Sequence, residues 1–215
     1  MPATAQLSQI SAELQREIIE IQQTFDNCAH HMDVSGYVQY GVAEDGCVVS
    51  IWDAWNRFMR NLYLTSCAGT GVGVSGVLYT PSQVRNESAA IQHLRQNCRN
   101  TKVRFTRSEP NWYAPNASFD YVNILGLANG STITAALSNS SIQTGTVSIS
   151  NPLGDLRRLR NFVAHKNWET HSDVTRFMGA YTSHRPYLRS NTTGGSTKFL
   201  DWCEAIVAIA EAACA

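Results

Sequence analysis

Charge of one sign is what this chain most obviously lacks. Lys plus Arg and Asp plus Glu both number 17 in 215 residues, and the formal net charge is +0. No global basic field advertises nucleic acid and no acidic surplus mimics one, so a charged ligand has to be met by a local patch. Long apolar runs are missing as well. Polar residues interrupt every apolar stretch well before membrane-spanning length, and Met1-Pro2-Ala3-Thr4-Ala5-Gln6 has neither the basic start nor the apolar core of a signal peptide. These absences predict a cytoplasmic protein with no membrane partner. The 6 cysteines (Cys28, Cys47, Cys67, Cys98, Cys203 and Cys214) contain no CxxC pair and no metal-ligand spacing. They read as small core residues in a reducing compartment. There is no G-x-S-x-G elbow and no H-E-x-x-H helix, which removes the serine hydrolases and zinc hydrolases built on those motifs.

What is present fits a globular helical protein. The composition is 43% hydrophobic and 16% charged, and the length suits one domain over residues 1–215. Leu7, Ile10, Leu14, Ile18, Ile21, Phe25, Cys28 and Met32 recur at steps of three and four, forming one stripe of a long helix that ends before Gly36. A second helix carries Ile51, Trp52, Trp55, Phe58, Met59, Leu62 and Tyr63 and stops near Gly69. A third is expected from about Ser82, started by Pro81 and Ser82, with Val84, Ile91, Leu94 and Cys98 inward. Phe119, Val122 and Leu125 suit a short helix, and Ser131 begins another through Leu137. Asn151-Pro152 is a strong helix start, because Asn can cap free N–H groups and Pro at the first position forgoes a bond that would go unmade. Leu153, Leu156, Leu159 and Val163 then face inward. A short helix near Ser172 to Tyr181 follows. The last helix, capped by Ser196 or Thr197, aligns Phe199, Trp202, Ile206, Ile209 and Ala213. The expected architecture is an all-α bundle of about five to seven helices, with long loops near 101–118 and 138–150. In the second loop, Val147 and Ile149 alternate as a strand pair would, but the Ser, Thr and Asn content favours a mobile loop.

Several motifs read more simply than they first look. Gly71-Val72-Gly73-Val74-Ser75-Gly76 fits G-x-G-x-x-G, yet a helix precedes it, Val77-Leu78-Tyr79-Thr80 follows, and no βαβ unit surrounds it. A flexible interhelical loop is expected instead. His30 and His31 point about 100° apart on a helix and make a poor metal pair. His93, His171 and His184 have no Cys or carboxylate at ligand spacing and read as structural. Trp112 and Tyr113 are a candidate base-stacking pair, though such rings more often pack a loop onto its own domain.

The missing basic patch lies in Asp155-Leu156-Arg157-Arg158-Leu159-Arg160-Asn161-Phe162-Val163-Ala164-His165-Lys166-Asn167. Arginine offers a planar fork of donors for phosphate oxygens, and histidine can take and give a proton near neutral pH. Together they suit phosphodiester cleavage without a metal. A general base deprotonates the ribose 2′-hydroxyl, the oxygen attacks the adjacent phosphorus, and a cation stabilises the charge that builds there. That chemistry requires RNA. Residues five apart on an ideal helix diverge by about 140°, so Arg160 and His165 do not share one face. Either the helix ends or distorts between them, or two copies of the segment meet across a symmetric dimer. Arg158, on nearly the same face as His165, is the rival phosphate ligand. Arg157 and Lys166 complete the basic set.

Arg160-Asn161-Phe162-Val163-Ala164-His165 resembles the R-x4-H signature of the HEPN superfamily, in which a polar Asn, Asp or His commonly follows the Arg. The resemblance implies a helical bundle, often dimeric, of the kind found in metal-independent ribonucleases of toxin–antitoxin and antiphage systems. It implies that Arg160, Asn161 and His165 form the catalytic site, with His165 in acid–base chemistry and Arg160 on the phosphate. It further implies an RNA substrate, no cofactor, a cleft at a homodimer interface, products with a cyclic phosphate and a 5′-hydroxyl, and a separate antitoxin or defence partner. The alternative is a HEPN-like scaffold that dimerises or binds a nucleotide or partner protein without catalysis. Some members extend the motif to R-x4-H-x-Y, with a tyrosine that a partner nucleotidyltransferase modifies. Here Asn167, followed by Trp168, stands at that position, so that route of neutralisation is not expected.

Overall fold

The structure, a computed structural model, describes residues 5–30, 41–99, 103, 105–106, 109–113, 118–138, 141–144, 147–179, 181, 184–192 and 195–215. Helices dominate them. Strand β1 (Ala5–Gln6) leads into α1 (Leu7–His30), and α2 (Gly41–Ala68) is followed by strands β2 (Gly71–Val72) and β3 (Leu78–Tyr79). Next come α3 (Glu87–Asn97), β4 (Phe105–Thr106), β5 (Glu109–Pro110), α4 (Ser118–Leu125) and α5 (Gly130–Ser138). The hairpin of β6 (Ser141–Thr144) and β7 (Val147–Ser150) precedes α6 (Pro152–His165), α7 (Trp168–Met178), α8 (His184–Leu188) and α9 (Lys198–Ala213). The all-α reading holds. Among the described residues no helix is long and apolar enough to cross a membrane. His31, Met32 and Gly36 lie outside the described residues.

The chain forms two compact units, one from Met1–Leu14, Trp55–Asn139 and Ile209–Ala215, the other from Gln15–Ala54 and Ser140–Ala208. In the first, Leu7, Ile10, Leu14, Trp55, Phe58, Met59, Leu62 and Leu94 are buried at the spacings that amphipathic helices require. Tyr63, Trp112 and Tyr121 pack edge to face, with ring centroids 5.6 Å apart for Tyr63–Tyr121 and 6.3 Å for Trp112–Tyr121. Trp112 is therefore a core ring and cannot stack bases. Its indole N–H donates to Glu109 at 2.8 Å, and Tyr113 sits edge-on to Trp55. The Glu109 carboxylate also takes Arg60, which pairs in addition with Glu87 at the start of α3. That helix begins later than Pro81-Ser82 predicts. Asn86 is the N-cap, its side-chain oxygen accepting the Ala89 N–H at 2.9 Å, and this stronger cap leaves Val84 outside the helix and exposed. The glycine-rich run is not a flexible loop. Gly71 pairs with Ala5 of β1 and with Tyr79 of β3, the Val74 N–H donates to the Cys214 carbonyl at 2.8 Å, and the Ser75 hydroxyl donates to that of Ala215 at 3.0 Å.

In the second unit, Leu153, Leu156, Leu159 and Val163 of α6 are buried with Val174, Met178, Leu188, Trp202 and Ile206. Phe25 stacks on Phe199 at 3.8 Å. The segment expected to be a mobile loop is an antiparallel hairpin instead. Ile142 pairs with Ile149, both buried, so alternation wins over the polar content of the intervening residues. Thr197 caps α9, its hydroxyl accepting the Leu200 N–H at 3.3 Å. All six cysteines are free thiols, Cys98 half-buried and the others buried. Burial pushes the Cys47 thiol up to about 11 and those of Cys67 and Cys214 up to about 12, so all three stay protonated near neutral pH.

Candidate functional site

The site is built on the C-terminal end of α6, within the second unit. The helix starts differently from the expectation. Asn151 is left-handed (φ 49, ψ 47) and makes no side-chain cap, so the first turn rests on Pro152 and on the Asn151 carbonyl, which accepts the Asp155 N–H at 3.0 Å. From there α6 runs without a break through Arg160 to His165. A helix that ends between those two residues is thus excluded, and in one chain their side chains leave the axis about 140° apart.

Its terminus is closely specified. Lys166 ends it in the left-handed conformation (φ 47, ψ 37), donating its N–H to the Phe162 carbonyl at 2.7 Å. Asn167 caps α7, its side-chain oxygen accepting the Thr170 N–H at 2.9 Å. His165 is the last residue of α6 and is exposed. Arg160 and Asn161 are half-buried, and the Arg160 Nη1 donates to Asn161 Oδ1 at 3.4 Å, a long contact. Arg160 Nε is buried and has no hydrogen-bond partner among the described residues. The rival ligand Arg158 and the Lys166 of the basic set are already engaged. Arg158 pairs with Asp155 at 2.8 Å, and Lys166 Nζ with Asp45 Oδ2 at 3.2 Å. Arg157 is half-buried and makes no ion pair among the described residues.

Asp45 leads to residues that the sequence reading passed over. With Glu44 it lies near the start of α2, and both are buried. His184, expected to be merely structural, puts Nε2 2.7 Å from Asp45 Oδ1, and Arg185 approaches Oδ2 at 3.4 Å. Arg189 pairs with Glu44 and lies over the Phe25 ring at 4.4 Å. Burial alone would raise the Asp45 pKa, but hydrogen bonding and the charge of His184, with Arg185 and Lys166, outweigh it and hold the carboxyl below its ordinary range. An ionised carboxylate only accepts, so His184 Nε2 carries the proton of that bond. Asp155 behaves oppositely, because burial raises its pKa despite Arg158 and Lys198.

A row of rings continues outward from this cluster. Phe162 meets the edge of His184 at 5.4 Å and lies 5.6 Å from His171, whose ring stacks with Trp168 at 6.4 Å and 27°. Trp168 is 79% exposed. The site thus combines an exposed imidazole, a guanidinium whose Nε has no hydrogen-bond partner among the described residues, and a turn tied to a buried carboxylate. Proton transfer and anion binding are the chemistry it can support. No group of three or more His, Cys, Asp or Glu is placed to hold a metal ion among the described residues. Comparison with protein-family models, curated proteins and solved structures gives no match.

Proposed function

We propose that this chain is an endoribonuclease that works without a metal, cleaving RNA through Arg160, Asn161 and His165 in a toxin–antitoxin or antiphage setting. The observation that carries the reading is the exposed His165 at the end of α6, five residues beyond an Arg160 whose Nε has no partner among the described residues. His165 takes the proton of the ribose 2′-hydroxyl, the 2′-oxygen attacks phosphorus, and the P–O5′ bond breaks as the 5′-oxygen receives a proton back from His165 or from water, giving a cyclic phosphate and a 5′-hydroxyl. Arg160 neutralises the charge on the phosphoryl oxygens, oriented by Asn161. Arg157 remains open for a second phosphate, whereas Arg158 and Lys166 would have to exchange Asp155 and Asp45 for it. Those two occupied cations are what favours the second reading, a HEPN-like scaffold without catalysis.

One experiment decides between them. Labelled tRNA and mRNA are incubated in EDTA with the wild type, Arg160→Ala and His165→Ala. Cleavage by the wild type is expected to fall by roughly 100-fold or more in His165→Ala, the factor that a lost general acid–base catalyst costs. Equal cleavage by all three proteins, or none by the wild type, removes the ribonuclease reading.

A further inference from the structure

We propose that Trp168, backed by His171, is a stacking subsite for an unpaired base of single-stranded RNA; this rests on the ribonuclease reading of the same site. Large apolar side chains are rarely left this open. Trp168 is the most exposed of the large hydrophobic residues among those described, at 79%. Its ring is not loose, since it is the first residue of α7 and stacks on His171, which is half-buried and itself rests on Phe162. One indole face therefore has a support of aromatic rings. The indole is also near the chemistry, because only Lys166 and Asn167 separate it from His165 and three Cα steps span at most about 11 Å.

The surroundings select the occupant. The exposed residues that flank Trp168 in the chain, His165, Lys166, Asn167 and Glu169, are all polar. A protein interface centres on a cluster of apolar anchors, whereas a lone ring among polar groups suits a ligand that is itself a ring. Charge points the same way. From Asp155 to Glu169 the sequence holds four cations (Arg157, Arg158, Arg160 and Lys166) and two acids (Asp155 and Glu169). Arg158 and Lys166 pair with Asp155 and Asp45, so Arg157 and Arg160 are the cations with no ion pair among the described residues. A base on the indole would place its own phosphates toward that basic run. Of the two rings singled out in the sequence for this role, Trp112 is only 5% exposed and Tyr113 is half-buried.

The test uses the full chain and a labelled single-stranded oligonucleotide with 2′-O-methyl groups, which binds but cannot be cleaved. Trp168→Ala is expected to weaken binding by roughly 5- to 150-fold, the factor that one base–aromatic stack supplies, while Trp168→Phe keeps most of the affinity. The loss should persist as salt is raised, because stacking is not screened, and it should vanish for a duplex of the same sequence. Equal affinity of wild type and Trp168→Ala, an equal loss on duplex, or no binding by the wild type overturns the subsite. So does a loss that tracks dissociation of dimers in sedimentation, which would make Trp168 an interface residue. Cleavage of unmodified RNA is measured in parallel. If the wild type binds through Trp168 but does not cleave, the ribonuclease reading fails and the subsite stands; if it cleaves and Trp168→Ala binds as well as the wild type, the reverse holds.

Discussion

Lys166 adopts a left-handed backbone that costs a non-glycine residue about 1–2 kcal/mol, and it ends α6 directly after His165. Two contacts offset that strain, the N–H bond to Phe162 and the ion pair with Asp45. Since Lys166 is 60% exposed, its pair is the weakest of the three that Asp45 makes, and His184 supplies the largest part of the lowering of the Asp45 pKa. A carboxyl with a depressed folded pKa contributes stability that is present above its unfolded value, about 3.9, and is lost as pH falls through the folded value. Asp45→Asn keeps the shape and removes the charge. It is expected to lower stability by roughly 1–3 kcal/mol at neutral pH, since His184 and Arg185 lose a charged hydrogen-bond partner in a buried site. The gap should narrow below about pH 4 as the wild-type carboxyl is protonated. Urea midpoints of both proteins at pH 7 and pH 3 check this, and a constant gap would show that the Asp45 charge is not what matters. Arg160, Asn161 and His165 could be read from one short string, but this cluster could not. His184 and Asp45 are 139 positions apart, and no spacing rule joins them. The only traces in the sequence are an adjacent acid pair and two arginines one helical turn apart, Arg185 and Arg189.

At the scale of elements, periodicity was legible wherever a helix has one dry face. α1, α2 and α9 follow their apolar stripes because burying each such side chain is worth about 1.5–3 kcal/mol, more than any local signal that opposes it. Ends were less legible. Pro81-Ser82 and Asn86 compete to start the third helix, and the side-chain cap of Asn86 wins. Around residues 141–150, the buried pair Ile142 and Ile149 sets a register that the serines conceal. The glycine run was hardest, because its reason lies in another element. A Cβ at Gly73 would sit 2.0 Å from the Ala215 carbonyl oxygen, and backbone cannot move aside as a side-chain end can. Gly46, inside α2, has open space where its Cβ would be. Gly73→Ala is therefore expected to destabilise by roughly 1–3 kcal/mol. Gly46→Ala should stabilise by about 0.5–1 kcal/mol through its gain in helix propensity. Denaturation midpoints of the two variants should move in opposite directions. A shared upward shift would mean that the β2–β3 hairpin does not hold Cys214 and Ala215 closely in solution.

For the whole molecule, the unbroken course of α6 turns a spacing problem into a statement about copies of the chain. If Arg160 and His165 act on one phosphate, and one helix directs them about 140° apart, the site has to draw Arg160 from one copy and His165 from another. A two-fold dimer then carries two such sites. In a mixture of Arg160→Ala and His165→Ala, random pairing makes about half of the dimers hybrids. Each hybrid has one site with both residues intact and one with neither. Subunit exchange should therefore restore about a quarter of the wild-type cleavage from two proteins that are each inactive. The amount of hybrid is measured independently by tagging one variant and recovering the pair. If hybrids form and no activity returns, Arg160 and His165 do not meet across the interface, and a ribonuclease built on both is left without a geometry. If the proteins are monomers at the assay concentration and the wild type still cleaves, one chain suffices, and the phosphate ligand has to lie on the face of His165. Arg158 is the residue in that position, and cleavage would then require its release from Asp155.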